Sequence, residues 1–327
     1  MKVLVTGGTG FLGRYIARAL LARRDAVSIL GRNFGGVQDL VADGARPLQV
    51  DLRDRAAVVE ACRGMDAVCH SGALSAPWGP RAEFFATNLG GTQAVLAGCR
   101  QHGVGRMVYI SSPSVIFNGR DHVNLNETAP YPRRFTSVYA LTKKLGEDAV
   151  NACPEVPAVI LRPKALFGPG DQSLLPRLIA AARAGRLPQI GSGRNLVDLT
   201  YVENAAEAAV LALSAPAAAG KTYTITNGES RPLWEVVRLV LAGLGIPAPR
   251  RVVPLWLAWS AALMMEGAAA QSGREPLLTR YSVLILARTQ TYDIRAARRD
   301  LGYQPGISLQ AGIEKTMQEL RAQSTNG

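Results

Sequence analysis

Apolar residues fall along the first half of this chain in two alternating rhythms. KVLVT, AVSIL, ARPLQV, DAVCH, RMVYIS and VPAVILRP are short apolar runs. Between them, FLGRYIARALLAR, the segment around Arg55–Cys62, the stretch from about Glu83 to His102 and the segment from Tyr139 through Val150 bring apolar positions round every three or four residues. Runs with little polar alternation suit strands buried on both faces, and the longer spacing suits helices that cover those faces. The alternation predicts an α/β fold with a doubly wound, Rossmann-type parallel sheet. After Pro163 the regularity loosens: FGPGDQ and IGSGRN read as loops, NLVDLTYV and KTYTIT as short strands around the helix VENAAEAAVLALSA, and the last hundred residues as mostly helical. The expected organisation is a sheet domain over 1–165 with returning segments at about 194–228. A small, mainly helical C-terminal substrate lobe would take about 166–193 and 229–327.

Composition narrows the function classes. The chain has 327 residues, 48% of them apolar, and Lys+Arg exceed Asp+Glu by 37 − 25 = 12. The positive residues are scattered in pairs such as Arg23-Arg24 and Arg298-Arg299, without a basic run or basic–aromatic alternation, so no nucleic-acid partner is expected. An acidic small molecule or an anionic membrane surface suits this balance. Cys62, Cys69, Cys99 and Cys153 are unpaired in spacing and read as buried apolar residues of a reduced protein, and three isolated histidines argue against a metal centre. The chain passes from Met1-Lys2 directly into a strand, and no apolar run reaches the roughly 18 residues of a spanning helix. The expected location is therefore cytoplasmic. VVPLWLAWSAALMM (Val252–Met265) is open to three readings: core, pocket lid, or a helix touching the inner membrane surface. A homodimer is compatible with all of this.

Chemistry begins at TGGTGFLG, Thr6 to Gly13. Placed between the first strand and the first helix, these glycines allow a tight turn and bring a pyrophosphate to a helix N-terminus. Gly7, Thr9, Gly10, Phe11, Leu12 and Gly13 are thus candidate cofactor-binding residues. The second strand ends in Gly31-Arg32, small then basic, where an NAD site would place an acidic residue. That arrangement favours the 2′-phosphate of NADP, with NAD kept as the alternative. Asp51-Leu52, after the third strand, is placed to contact adenine.

In SVYALTKK, Tyr139 and Lys143 stand four residues apart, about one helical turn plus 40°, so they share a face while Lys144 points away. A lysine ammonium beside a phenol would lower its ordinary pKa of about 10 and make it a usable proton relay. These motifs, with Asp51-Leu52, His70-Ser71-Gly72-Ala73, NLGGTQAVL, YISSPSV and LRPKALFGPGD, occur in the order of the extended short-chain dehydrogenases/reductases, which the chain resembles nearly end to end. Ser71 departs from the asparagine or alanine common there. The resemblance implies an NAD(P)-dependent oxidoreductase working through Tyr139, Lys143 and Ser112. Ser114 would be a possible second donor, Ser111 a strand-end cap, and Lys143 a ligand of the nicotinamide ribose. SSPSVIFNGRD, GSGRNLVDLTYVENAAEA and ARRDLGYQP resemble the 3β-hydroxysteroid dehydrogenase branch. That branch includes sterol-4-carboxylate 3-dehydrogenases and, through Trp78-Gly79, the 2-alkyl-3-oxoalkanoate reductases. It implies a ketone or secondary alcohol β to a carboxylate on a large apolar skeleton, with Arg177 or Arg194 as candidates to hold that carboxylate. A nucleotide-sugar epimerase/dehydratase and a non-enzymatic NAD(P)-binding sensor are the alternatives.

Overall fold

Six of the apolar runs become neighbouring strands in the computed structural model, which describes residues 1–171 and 174–325. Gln172, closing the expected FGPGDQ loop, and the last two residues of the expected lobe lie outside the described residues. The strands are β1 (Lys2–Thr6), β2 (Ala26–Gly31), β3 (Arg46–Gln49), β4 (Ala67–His70), β5 (Arg106–Ile110) and β6 (Ala158–Pro163). KTYTIT adds β7 (Thr222–Ile225), which pairs with β6. All pairings are parallel, in the order β7-β6-β5-β4-β1-β2-β3. The order reverses between β1 and β4, which opens a crevice at their carboxyl ends.

Both sheet faces are covered, as the unbroken apolar runs require. Val3 and Val5 pack with Ile16 and Leu20 of helix α1 (Phe11–Ala22) on one face, and Leu4 packs with Val68, Val95 and Met107 on the other. Each fully buried side chain of this kind contributes roughly 1.5–3 kcal/mol. Residues Ile294, Ala297, Leu301 and Tyr303 also enter the first of these cores, while Trp234, Val237, Leu241 and Val283 form a separate C-terminal cluster.

Two local expectations need correction. The helix expected from Glu83 to His102 starts at Arg81 and is interrupted by a π-helical turn over Phe85–Gly90 before continuing as α2 (Gly91–His102). Such turns widen the hydrogen-bond ladder by one residue. Asn88, buried in this turn, accepts from the Leu74 N–H (2.7 Å) and donates to the Leu74 carbonyl (3.2 Å) and Thr142 Oγ1 (3.0 Å). It thereby ties down the loop after β4. NLVDLTYV is not one strand: Leu196–Val197 and Thr200–Tyr201 belong to different sheets. The former joins a four-stranded sheet with Arg231–Pro232, Gln290–Tyr292 and His122–Leu125. The last two lacked a readable apolar pattern, and they pair across more than half the chain.

The segment Val252–Met265 begins as a short strand and continues after Pro254 as the helix Leu255–Ser272. Ala258 and Ala262 face inward, whereas Trp256 is 69% and Met264 71% exposed. Among the described residues no helix is long and apolar enough to cross a membrane.

Candidate active site

The glycine loop is shaped by close backbone approach. Gly7 has φ +66°, and a Cβ there would stand 2.5 Å from Gly72 Cα. A Cβ on Gly13 would lie 2.0 Å from the Gly7 carbonyl oxygen. That carbonyl accepts the Gly10 N–H at 2.9 Å, and α1 starts from Gly10 with no side-chain cap. The first-turn N–H groups and the helix dipole therefore suit an anion such as a dinucleotide pyrophosphate. Gly7, Gly10, Phe11, Leu12 and Gly13 line a cavity of about 2010 Å³ that also reaches Ser112, Tyr139 and Lys143. Small-ligand sites usually occupy roughly 300–1,000 Å³, so this one has room for a dinucleotide and a large second ligand.

The residues expected at the adenosine end stand at the tips of β2 and β3, outside that lining. Thr9 packs on Gly31, where a Cβ would come within 2.6 Å of its side chain. Arg32 is exposed. Asp51 is engaged by Arg53 through Nε at 3.0 Å and Nη2 at 2.6 Å, and this pairing holds its carboxyl down to about 2. Arg32 adds a smaller pull in the same direction. The Leu52 side chain packs over Gly72 and Gly91.

At the reacting end, helix α3 (Val138–Asn151) starts from Ser137, whose Oγ accepts the Ala140 N–H at 3.1 Å. Tyr139, Lys143 and Glu147 follow at four-residue steps on one face, and Lys144 turns away to pair with Asp148. The expected lowering of the Tyr139 pKa by Lys143 is not what its surroundings produce. Burial raises the phenol above its ordinary value, and hydrogen bonding to Ser75 and Ser112 opposes that rise. Lys143 is buried with its ammonium 4.0 Å from the centre of the Tyr109 ring. Burial pushes this ammonium down to about 7 against the pull of the Glu147 carboxylate. His70, bridging Thr6 (2.6 Å) and Thr92 (3.0 Å), is driven down to about 3 by burial and is a neutral strut.

Ser111, expected as a strand-end cap, instead donates to Glu147 Oε1 at 2.6 Å. Glu147 also accepts from Arg162 Nε (2.8 Å), Arg162 Nη2 (2.7 Å) and the Tyr131 hydroxyl (2.8 Å). This buried pair locks the helix carrying Tyr139 to β6 and to the loop carrying Ser112. Sequence reasoning missed it, although Arg162 is a charge inside the apolar run VILRP and Glu147 continues the four-residue step. It also missed Ser75, which no spacing marks, and Lys164, the lone cation directly after β6. Arg177 lines the cavity but is half-exposed and paired with Glu275 at 2.7 Å, and Arg194 is exposed in a turn outside the lining.

Comparison with known proteins agrees with this geometry. Residues 4–255 match the model of the 3-beta hydroxysteroid dehydrogenase/isomerase family. The chain is 39% identical over 325 residues to a 2-alkyl-3-oxoalkanoate reductase of Stenotrophomonas maltophilia, covering 96% of this chain and 98% of that one. It is 33% identical over 335 residues to the mouse sterol-4-alpha-carboxylate 3-dehydrogenase, decarboxylating, covering 97% and 90% respectively. A solved dTDP-glucose 4,6-dehydratase of Streptomyces venezuelae, with NAD bound, superposes with TM-score 0.78 at 25% identity over 98% of this chain and 97% of that one. With the glycine cradle, the Tyr139 helix and a family match over most of its length, this chain belongs to the 3-beta hydroxysteroid dehydrogenase/isomerase family.

Proposed function

We propose that this oxidoreductase reduces the ketone of a large apolar 3-oxo carboxylate, of the 2-alkyl-3-oxoalkanoate type, using NADPH. The observation that carries the reading is one continuous cavity. It runs from the glycine loop past Ser112 and Tyr139 to an apolar wall that includes Leu178, Ile190, Val253, Leu257 and Leu278. Ser112 and Ser75 hold the ketone oxygen beside the Tyr139 phenol, which is protonated at neutral pH because burial keeps its pKa high. A bound nicotinamide supplies the hydride, and Tyr139 delivers the proton that completes the secondary alcohol. Lys143, buried on the same helix face, holds the nicotinamide ribose and the phenol's surroundings in register. Arg32 pairs with the 2′-phosphate.

One feature favours a second reading. The cavity rim carries Arg177, Arg183, Arg186, Arg250 and Arg251, cations that a nucleotide diphosphate would also use. The test is cofactor oxidation or reduction against a panel of a 2-alkyl-3-oxoalkanoate, a 3-ketosteroid, a 3β-hydroxysteroid and a nucleotide sugar. Turnover of the oxoalkanoate is expected to lead. Turnover confined to the nucleotide sugar would overturn the reading. In the same assay Arg32→Ala is expected to weaken NADPH binding far more than NADH binding, and equal losses would return the assignment to NAD.

The exposed face of Leu255–Ser272 extends the proposal. Trp256, Leu263 and Met264 are exposed on it, and exposed Arg250, Arg251 and Arg274 flank it, while Leu257 and Met265 of the same helix line the cavity. Apolar side chains beside cations suit the surface of an anionic bilayer, from which a two-tailed substrate could enter. The wild type is expected to float with phosphatidylglycerol vesicles and not with phosphatidylcholine vesicles, and Trp256→Asp to reduce flotation. Equal flotation of variant and wild type would exclude this helix as the contact.

A further inference from the structure

The cavity holds a buried cation that the reaction chemistry above does not use. Lys164, the first residue after β6, is 7% exposed and lines the cavity wall. Its Nζ donates to Gln290 Oε1 at 2.7 Å and lies 5.8 Å from the centre of the Tyr292 ring. Among the described residues it forms no ion pair. Asp198, a buried carboxylate in its neighbourhood, gives its oxygens to the Ser230 hydroxyl (2.6 Å) and the Tyr292 N–H (2.7 Å). A buried ammonium with one neutral acceptor is costly unless a counter-charge completes it.

Two further donors point the same way. Because the Gln290 carbonyl faces Lys164, its amide nitrogen is turned elsewhere. That Nε2 is buried and has no hydrogen-bond partner, and neither has the buried Ser114 Oγ. Gln290 and Ser114 line the same cavity as Lys164. Buried polar groups left unpaired are uncommon, and these two belong to residues of the cavity wall. An ammonium, an amide N–H and a hydroxyl together ask for an anion.

We infer that Lys164, with Gln290 Nε2 and Ser114 Oγ, forms the seat of the substrate's carboxylate. The inference rests on the 3-oxo carboxylate reading and specifies which residues recognise its acid end. Strand geometry supports the spacing. β5 and β6 are adjacent, with Ile110 opposite Leu161, which sets Ser112 level with Pro163, the residue before Lys164, on a strand roughly 4.8 Å away. In a 3-oxo acid the carboxylate carbon is two bonds from the ketone carbon, so an oxygen held at Ser112 leaves the acid within reach of Lys164. Burial pushes the Lys164 ammonium down to about 8, with Asp198 opposing, so it stays mostly cationic at pH 7.

The experiment compares a 2-alkyl-3-hydroxyalkanoic acid with its methyl ester, as substrates with NADP+, in wild type, Lys164→Met and Gln290→Glu. Direct titration of the same proteins with dodecanoate and methyl dodecanoate accompanies it. A charge-assisted contact of this kind corresponds to roughly 10- to 150-fold. The wild type is expected to prefer acid over ester by about that factor, mainly through KM. Lys164→Met should remove most of the preference, and so should Gln290→Glu, which keeps the lysine but neutralises it with a neighbouring carboxylate. The second variant carries the test if the first fails to fold. An unchanged acid preference in either folded variant would overturn the inference, as would a wild type that shows none. Failure of the wild type on both substrates would instead sink the reductase reading. In that event stronger dodecanoate binding, lost in the variants, would still support the anion seat, and equal binding of acid and ester would overturn it.

Discussion

Tyr139→Phe is expected to lower turnover by about 10²–10⁴-fold while leaving NAD(P)H binding close to that of the wild type. In the proposed reaction the phenol delivers the proton at the end of the cavity lined by Ser112 and Ser75. Phenylalanine keeps the ring and removes only the transferable proton and its hydrogen bonds. The sign of the pH dependence follows from the raised phenol pKa. The phenol's contribution to reduction should hold steady through neutral pH, where it is protonated, and fall as alkali ionises it, apart from the binding losses that follow deprotonation of Lys143 at about 7 and Lys164 at about 8. NAD(P)H binding followed by fluorescence, beside steady-state turnover, separates the two effects. Near-normal turnover in a folded Tyr139→Phe protein would remove Tyr139 as the proton donor.

Glu147→Ala is expected to be the most destabilising single change considered, at about 3–5 kcal/mol. Glu147 is fully buried and Arg162 2% exposed, so truncating the carboxylate leaves a guanidinium uncompensated in the core. It also removes the acceptor of the Ser111 and Tyr131 hydroxyls. Against a typical total stability of about 5–15 kcal/mol, this is a large fraction. Urea denaturation should show the midpoint falling in Glu147→Ala and in Arg162→Met, and the double variant Glu147→Ala/Arg162→Met should lose less than the two single losses added. That non-additivity is the signature of a buried pair. A loss below about 1 kcal/mol in Glu147→Ala would show that the pair does not hold the helix to β6.

What the sequence by itself determined is what depends on near neighbours along the chain. Apolar runs and helical spacing define the strands and helices of the sheet, because burial on both faces imposes a local pattern. The glycine loop is legible for the same reason: its turn, its Gly7–Gly13 approach and its helix start lie within Thr6 to Gly13, while the approaches to Gly72, Ile29 and Gly31 come from other strands. Tyr139 and Lys143 are legible because one helical turn sets their relation whatever surrounds them. Only the tertiary structure decided the rest. The phenol's pKa follows from burial and from Ser75, on a loop held by Asn88, and not from the lysine four residues away. Lys164 meets Gln290 across 126 positions, and Glu147 meets Arg162 from a different element. The short strand His122–Leu125 exists only through its pairing with Gln290–Tyr292, which also pairs with Leu196–Val197. The physical reason is that a buried charge is defined by what compensates it, and its compensating group is placed by packing, which leaves no periodic trace in the chain.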